Sequence, residues 1–325
     1  MLRRCCRVLL LYIVIFLFLL MFLFAWVFFR KAFHRPPTKD LTEQEVLLTS
    51  EWFSYMPVLE PALDWFGKQP WEALEITAAD GCPLQALWLP RKGAKACFIL
   101  MHGYGALPQN LCVAARWASK QGYSLLLPYA RSHGKSGGEY CTLGLLEAED
   151  CRLWAEKAAE CSGDEVKLIL LGSGMGAFTV LHAISGNLPA SIRGVVADGA
   201  YASPREMLRR VMKEEMRMRV FPLLQIVCLY GRILWKKGLG SVDLREALKD
   251  NKELPVLFIH GKKDMRVPFA WTEELSKACA APKAVFLSEN AGHGASCLAD
   301  NEAYFKQLKL FAAPLISGAN SSQMP

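Results

Sequence analysis

LILLGSGMGAFTVL, residues 168–181, decides the fold. Leu168–Leu171 reads as the buried end of a strand, and glycines at 172, 174 and 176 interrupt it. The stretch Gly176–Ser185 then reads as a helix. A buried strand, a glycine turn and a helix in succession make a sharp elbow, which lifts one apex residue above the end of a parallel sheet.

Outward from this elbow, residues 70–313 alternate short β-like runs with helical stretches. That alternation predicts an α/β fold, a mostly parallel sheet with helices on both faces. Trp71–Thr77 and Leu84–Leu89 flank Asp80-Gly81 and predict a hairpin. Cys97–Met101, Ser124–Leu127, Val166–Leu171, Ile192–Ala197, Val256–Ile259 and Ala284–Leu287 read as further strands. Helices fit Pro108–Gln121, Leu145–Cys161, Pro268–Ala280 and Cys297–Phe311. One block, 203–250, holds no strand and predicts a helical cap over the strand ends, where such sheets bind ligands. Its first half is basic and its second, Phe221–Trp235, is apolar, a pattern that also suits a membrane surface.

Three strand ends carry polar turns in a telling order. The elbow comes first, His260-Gly261-Lys262-Lys263-Asp264 follows the 256–259 strand, and Ala291-Gly292-His293-Gly294 follows the 284–287 strand. Elbow, acid, histidine is the chain order of one hydrolytic triad. Upstream, HGYG (102–105) follows a strand, at the place of an oxyanion loop. Together with RSHGKSGGEY (131–140), GSGMGAFTVL (172–181), HGKKDMRVP (260–268) and AGHGAS (291–296), the chain resembles α/β-hydrolases. The likeness is to the bacterial membrane-anchored, serine-aminopeptidase-like branch. It implies Asp264 as the acid, His293 as the base, and the Tyr104 and Met175 amides as the oxyanion hole. It implies ester or amide (peptide) hydrolysis as the ancestral reaction, with no cofactor or metal and a small-molecule or peptide ligand under the cap.

The pattern breaks at its centre. In G-x-S-x-G the middle residue is the nucleophile, and here it is Gly174. Losing the nucleophile of a comparable triad costs roughly 10⁶-fold in turnover, so an inactive or weakly active hydrolase, a pseudoenzyme, is expected. An active alternative would use Ser173 or a water activated by His293. Tyr129 is a second departure, because relatives usually carry Asp there, and it questions the support of the 131–136 loop. His102 and His133 are read as loop-holding residues, and Glu147, Asp150, Trp154 and Asp198 as structural. One alternative of another class is dinucleotide binding through Gly172-x-Gly174-x-x-Ala177, with Asp198 as the ribose acid. It leaves HGYG, HGKKD and AGHG unexplained, so no NAD binding is expected.

Residues Val8–Phe29 are 22 without a charge, long enough at about 1.5 Å each to cross a hydrocarbon core of about 30 Å. They end in Trp26, Phe28 and Phe29 before Arg30 and Lys31, a poor cleavage site, which predicts an uncleaved single-pass anchor. Basic residues flank both ends and do not orient it. The expected organisation is a 1–35 tail and anchor, a 36–69 juxtamembrane segment of linker and helices, a 70–313 domain folding without the anchor, and a 314–325 polar tail. In 325 residues the excess of 38 Lys+Arg over 31 Asp+Glu lies partly at that anchor, so the net +7 is no argument for nucleic acid, and no nucleic-acid partner is expected. The 11 cysteines show no C-x-x-C pair, which excludes zinc and redox motifs of that kind, and nine scatter through the domain as small hydrophobes.

Overall fold

The computed structural model of the chain describes residues 2–43, 52–163 and 165–318. Eight strands form one sheet in the order β1-β2-β4-β3-β5-β6-β7-β8. They are β1 (Glu72–Thr77), β2 (Pro83–Leu89), β3 (Ala96–Met101), β4 (Ser124–Pro128), β5 (Lys167–Ser173), β6 (Ile192–Asp198), β7 (Val256–Gly261) and β8 (Lys283–Ser288). The β1–β2 and β2–β4 pairs are antiparallel, and every other pair is parallel. The expected hairpin turns at Gly81, whose φ of +82° only glycine adopts without strain.

The continuous apolar runs of β3 and β5 follow from burial on both faces. Cys97, Ile99 and Met101 enter one core cluster with Leu168 and Leu170. Phe98 and Leu100 enter the other with Ile169 and Leu171. On the first face lie α4 (Glu147–Ser162) and α5 (Met175–Ala183). On the second lie α2 (Met56–Gly67), α3 (Cys112–Lys120) and α11 (Asn301–Ser317).

Between β6 and β7 the insertion is helical, as expected: α6 (Pro204–Arg210), a π-turn at Val211–Glu215, α7 (Leu223–Trp235) and the short α8 (Leu244–Ala247). Helix α9 (Phe269–Ala278) joins β7 to β8, and α10 (Ser296–Ala299) precedes α11. The stretch read as one helix from Cys297 is therefore two, and the second runs past 313 to Ser317 with Leu315 buried. Residues 319–325 of the expected tail lie outside the described residues.

The apolar N-terminal segment is one helix, α1 (Leu2–Phe33), whose Cys6–Phe33 stretch is long and apolar enough to cross a membrane. Its last turns are not free. Ala25, Phe28, Phe29 and Phe33 are buried in the same cluster as α4, α5 and α7. Phe29 packs on Trp235 at 5.2 Å and on Tyr140 at 5.7 Å between ring centroids. The boundary expected after residue 35 thus separates packed structure, and α2, in the expected juxtamembrane segment, is part of the domain, contributing Leu59, Ala62 and Phe66 to the second cluster. Composition marks a bilayer-length run but not which of its aromatic side chains the domain covers.

Candidate active site

The elbow is built backbone against backbone. A Cβ on Gly172 would lie 2.1 Å from the Gly176 carbonyl oxygen, and one on Gly176 would lie 1.9 Å from that of Met101. The outer glycines are therefore demanded by the approach of β5, α5 and β3, which leaves the dinucleotide fingerprint no separate reason for them. Gly174 differs. It holds the apex at φ +57° and ψ −113°, a strained region for any other residue. Yet a Cβ there would meet nothing nearer than Cε1 and Nε2 of His293, both at 3.8 Å. Space for a side chain exists beside an imidazole, and no side chain fills it.

His293, in the turn after β8, and Asp264, in the turn after β7, meet as the sequence order implies. The His293 Nδ1–H donates to Asp264 Oδ2 at 2.8 Å. Oδ1 of Asp264 accepts the Arg266 and Val267 amides, each at 2.8 Å. Burial pushes this carboxyl up, but the hydrogen bonds from His260, His293 and the Val267 amide outweigh it and hold it well below the usual range. An ionised acid on Nδ1 fixes the tautomer and leaves Nε2 as the basic nitrogen, facing Gly174.

Tyr104, in the turn after β3, and Met175, the first residue of α5, line the same cavity as Gly174 and His293. Neither amide has a backbone acceptor among the described residues. Two buried histidines hold the first of these turns. His102 Nε2 accepts the Ala130 amide at 3.0 Å while Nδ1–H donates to the Gly103 carbonyl. His133 Nε2 accepts the Gly105 amide at 3.0 Å while Nδ1–H donates to the Arg131 carbonyl. Burial lowers the pKa of both, that of His102 to about 3. With both ring nitrogens committed and no proton to gain near neutral pH, they position loops, as their sequence context suggested.

The 131–136 loop has support despite Tyr129. The Tyr129 ring fills the space over Gly134, where a Cβ would lie 2.5 Å from its Cδ1. Ser136 Oγ–H donates to the Tyr129 carbonyl at 2.7 Å. Arg131 forks onto Asp150 with bonds of 2.7 and 2.6 Å and reaches Asp80 at 2.8 Å. Burial pushes the Asp150 carboxyl up to about 6 against the pull of the guanidinium, so at neutral pH the pair is ionic. Removing one partner of a buried pair costs about 3–5 kcal/mol. Arg131→Ala is therefore expected to lose that much stability in urea unfolding at pH 7, and a loss under about 1 kcal/mol would mean that water relaxes into the site. Glu147 caps the neighbouring turn by accepting the Thr142 and Gly144 amides, each at 2.8 Å, and Trp154 is a core side chain.

A cavity of about 480 Å³ opens onto Gly174, His293, Tyr104 and Met175. Ser173 lines it too, one residue short of the apex. Asp198 lines it while accepting the Ser296 hydroxyl at 2.8 Å, and burial raises its carboxyl to about 6. From the cap come Met207, Leu208 and Val211. Another part of the wall carries no motif in the sequence: Ala32 and Phe33 at the end of α1, Pro37, Lys39 and Leu41 just after it, and Trp52. This strap is tied down along its length. The Tyr104 hydroxyl donates to the Ala32 carbonyl at 2.7 Å, and the Cys141 amide donates to that of Phe33 at 2.8 Å. The Lys39 amide donates to the Gly105 carbonyl at 2.8 Å, and the Arg35 guanidinium to that of Gly138 at 3.1 Å. Trp52 Nε1–H donates to the His293 carbonyl at 3.3 Å. The local sequence signal here is Pro36-Pro37, whose fixed φ stiffens the exit from α1. Among the described residues no three acidic, His or Cys side chains gather as metal ligands.

Residues 92–239 match the family model described as serine aminopeptidase, S33, and 235–312 match the one described as TAP-like protein. The chain belongs to the α/β-hydrolase superfamily. Among curated proteins it is similar to the uncharacterized protein YqkD of Bacillus subtilis (strain 168), 29% identical over 243 residues, 74% of this chain and 78% of the relative. YfhR of Escherichia coli (strain K12) is 23% identical over 235 residues, 70% and 76% of the two chains. Among solved structures, an esterase of Pyrococcus furiosus superposes with a TM-score of 0.62 at 20% identity, covering 76% of this α/β-hydrolase and 93% of the esterase. A lipase-esterase related protein of Clostridium acetobutylicum gives 0.54 at 18%, covering 70% and 99%. These likenesses establish the hydrolase fold and its esterase and lipase neighbours.

Proposed function

We propose that this α/β-hydrolase is a membrane-anchored pseudoenzyme that binds an ester or amide ligand beneath its cap and forms no acyl-enzyme. One observation carries the reading. A complete acid–base pair, Asp264 and His293, faces an apex with no side chain, Gly174. The esterase and lipase-esterase neighbours and the serine aminopeptidase family model support the ligand class. The anchor reading draws on the apolar Cys6–Phe33 stretch. It also draws on the packing of Phe28, Phe29 and Phe33, since cleaving α1 as a leader would strip three aromatic side chains from the core.

A second reading has its own observation, the open space between Gly174 and His293. A water held there would give a proton to His293 Nε2 and attack the carbonyl carbon. The Tyr104 and Met175 amides would stabilise the tetrahedral oxyanion. The imidazolium would return the proton to the leaving oxygen or nitrogen as its bond to carbon breaks.

Full-length protein in detergent is expected to take no fluorophosphonate label and to hydrolyse p-nitrophenyl esters at the rate of His293→Ala. Hydrolysis that falls at least tenfold in His293→Ala would replace the pseudoenzyme reading with the activated water. Labelling that disappears in Ser173→Ala would make Ser173 the nucleophile.

A further inference from the structure

The cap helix α7 packs along the last turns of α1. Trp26 meets Tyr230 edge-on at 5.3 Å, and the Tyr230 hydroxyl donates to the Phe22 carbonyl at 3.0 Å. At the helix ends Phe33 meets Trp235 at 5.1 Å. The other side of α7 faces outward and is apolar in its second half but for Arg232, with Gln225 exposed nearer its start. Leu229, Ile233 and Leu234 are exposed there, with Phe221 just before the helix. Exposed basic residues lie at both ends, Arg217 and Arg219 before it, Arg232 and Lys236 at its close.

Helix length sets the depth. The part of the apolar run exposed at every residue, Val8–Leu20, is 13 residues, about 20 Å at 1.5 Å each. A hydrocarbon core needs about 30 Å. Arg7 closes the run on its other side, so the missing third comes from Met21–Phe29, turns that α7 covers on one side and that leave Leu23, Phe24 and Val27 exposed on the other. A helix packed on those turns shares their depth. Apolar residues between basic ends are the pattern of a helix lying in a membrane interface, its cations reaching the headgroups.

We propose that the outward face of α7 is immersed in the lipid leaflet beside the end of α1, so that the cap is a second membrane-contacting element, with an anionic leaflet as its partner. The proposal rests on α1 being a bilayer span. Immersion places the cap, whose α6 lines the cavity, at the level of the lipid headgroups.

The test uses the full chain in vesicles of phosphatidylcholine and phosphatidylglycerol, a phospholipid carrying a photoactivated carbene in its acyl chain, and mass-spectrometric mapping of the adducts. Adducts are expected on 8–20 and on 221–234, at least tenfold above those on Val285 and Leu310, exposed apolar residues elsewhere. Adducts on 8–20 without any on 221–234 would overturn the immersed cap and leave the anchor standing. Absence of adducts from both would overturn the anchor and the proposal with it. Equal labelling of Val285 and Leu310 would overturn the immersed cap, because α7 would then be no more lipid-exposed than any surface residue.

Discussion

Gly174→Ser is expected to convert an unreactive chain into one that fluorophosphonate labels stoichiometrically. A Cβ at the apex lies 3.8 Å from His293 Nε2, so the hydroxyl oxygen, one bond further, comes within hydrogen-bond reach of the base. Asp264 already holds His293 in the required tautomer, and only the attacking oxygen is missing. Loss of a nucleophile from a working triad costs about 10⁶-fold. Restoring one to a site not selected to use it is expected to recover part of that, about 10³-fold or more in p-nitrophenyl ester hydrolysis. The cost is conformational. Serine at φ +57° strains the backbone by about 1–3 kcal/mol, which should appear as a lower melting temperature. His293→Ala in the Gly174→Ser background should abolish the labelling, because the hydroxyl then lacks its base. A folded Gly174→Ser chain that stays unlabelled would mean that the amides of Tyr104 and Met175 do not serve a tetrahedral intermediate here.

Two truncations should part sharply in stability. A chain starting at Met21 keeps Ala25, Phe28, Phe29 and Phe33 in the core, and its soluble domain should melt as the full chain does. A chain starting at Pro36 loses all four. Truncating one buried aromatic side chain costs about 3–5 kcal/mol, and a typical domain has only about 5–15 kcal/mol in hand. The shorter chain is therefore expected to be unfolded or to aggregate at 37 °C. This reverses the expectation from sequence that residues 70–313 fold without 1–35. Cooperative melting of the Pro36 chain within a few degrees of the Met21 chain would show that the packing of α1 contributes little.

Local chemistry made much of this protein legible from its sequence. Strands buried on both faces must be continuously apolar, so β3, β5 and β7 could be read directly. Glycines must stand where backbones touch, so 172 and 176 marked the elbow. A triad spread over three strand ends keeps its chain order, so Asp264 and His293 could be paired before their 2.8 Å hydrogen bond was known. The absence of a hydroxyl at 174 is a fact of sequence alone. Tertiary structure decided what depends on which surfaces meet. Val8–Phe29 reads as uniform grease, because transfer to lipid and transfer to a protein core reward the same side chains. Only the fold shows that Val8–Leu20 stays exposed while Phe29 and Phe33 are buried. The same holds for the strap at 32–41 and for Trp52. They carry no motif, and they border the cavity because the chain leaving α1 hydrogen-bonds along Gly105, Glu139 and Cys141 and Trp52 donates to the His293 carbonyl, long-range contacts that no local pattern encodes.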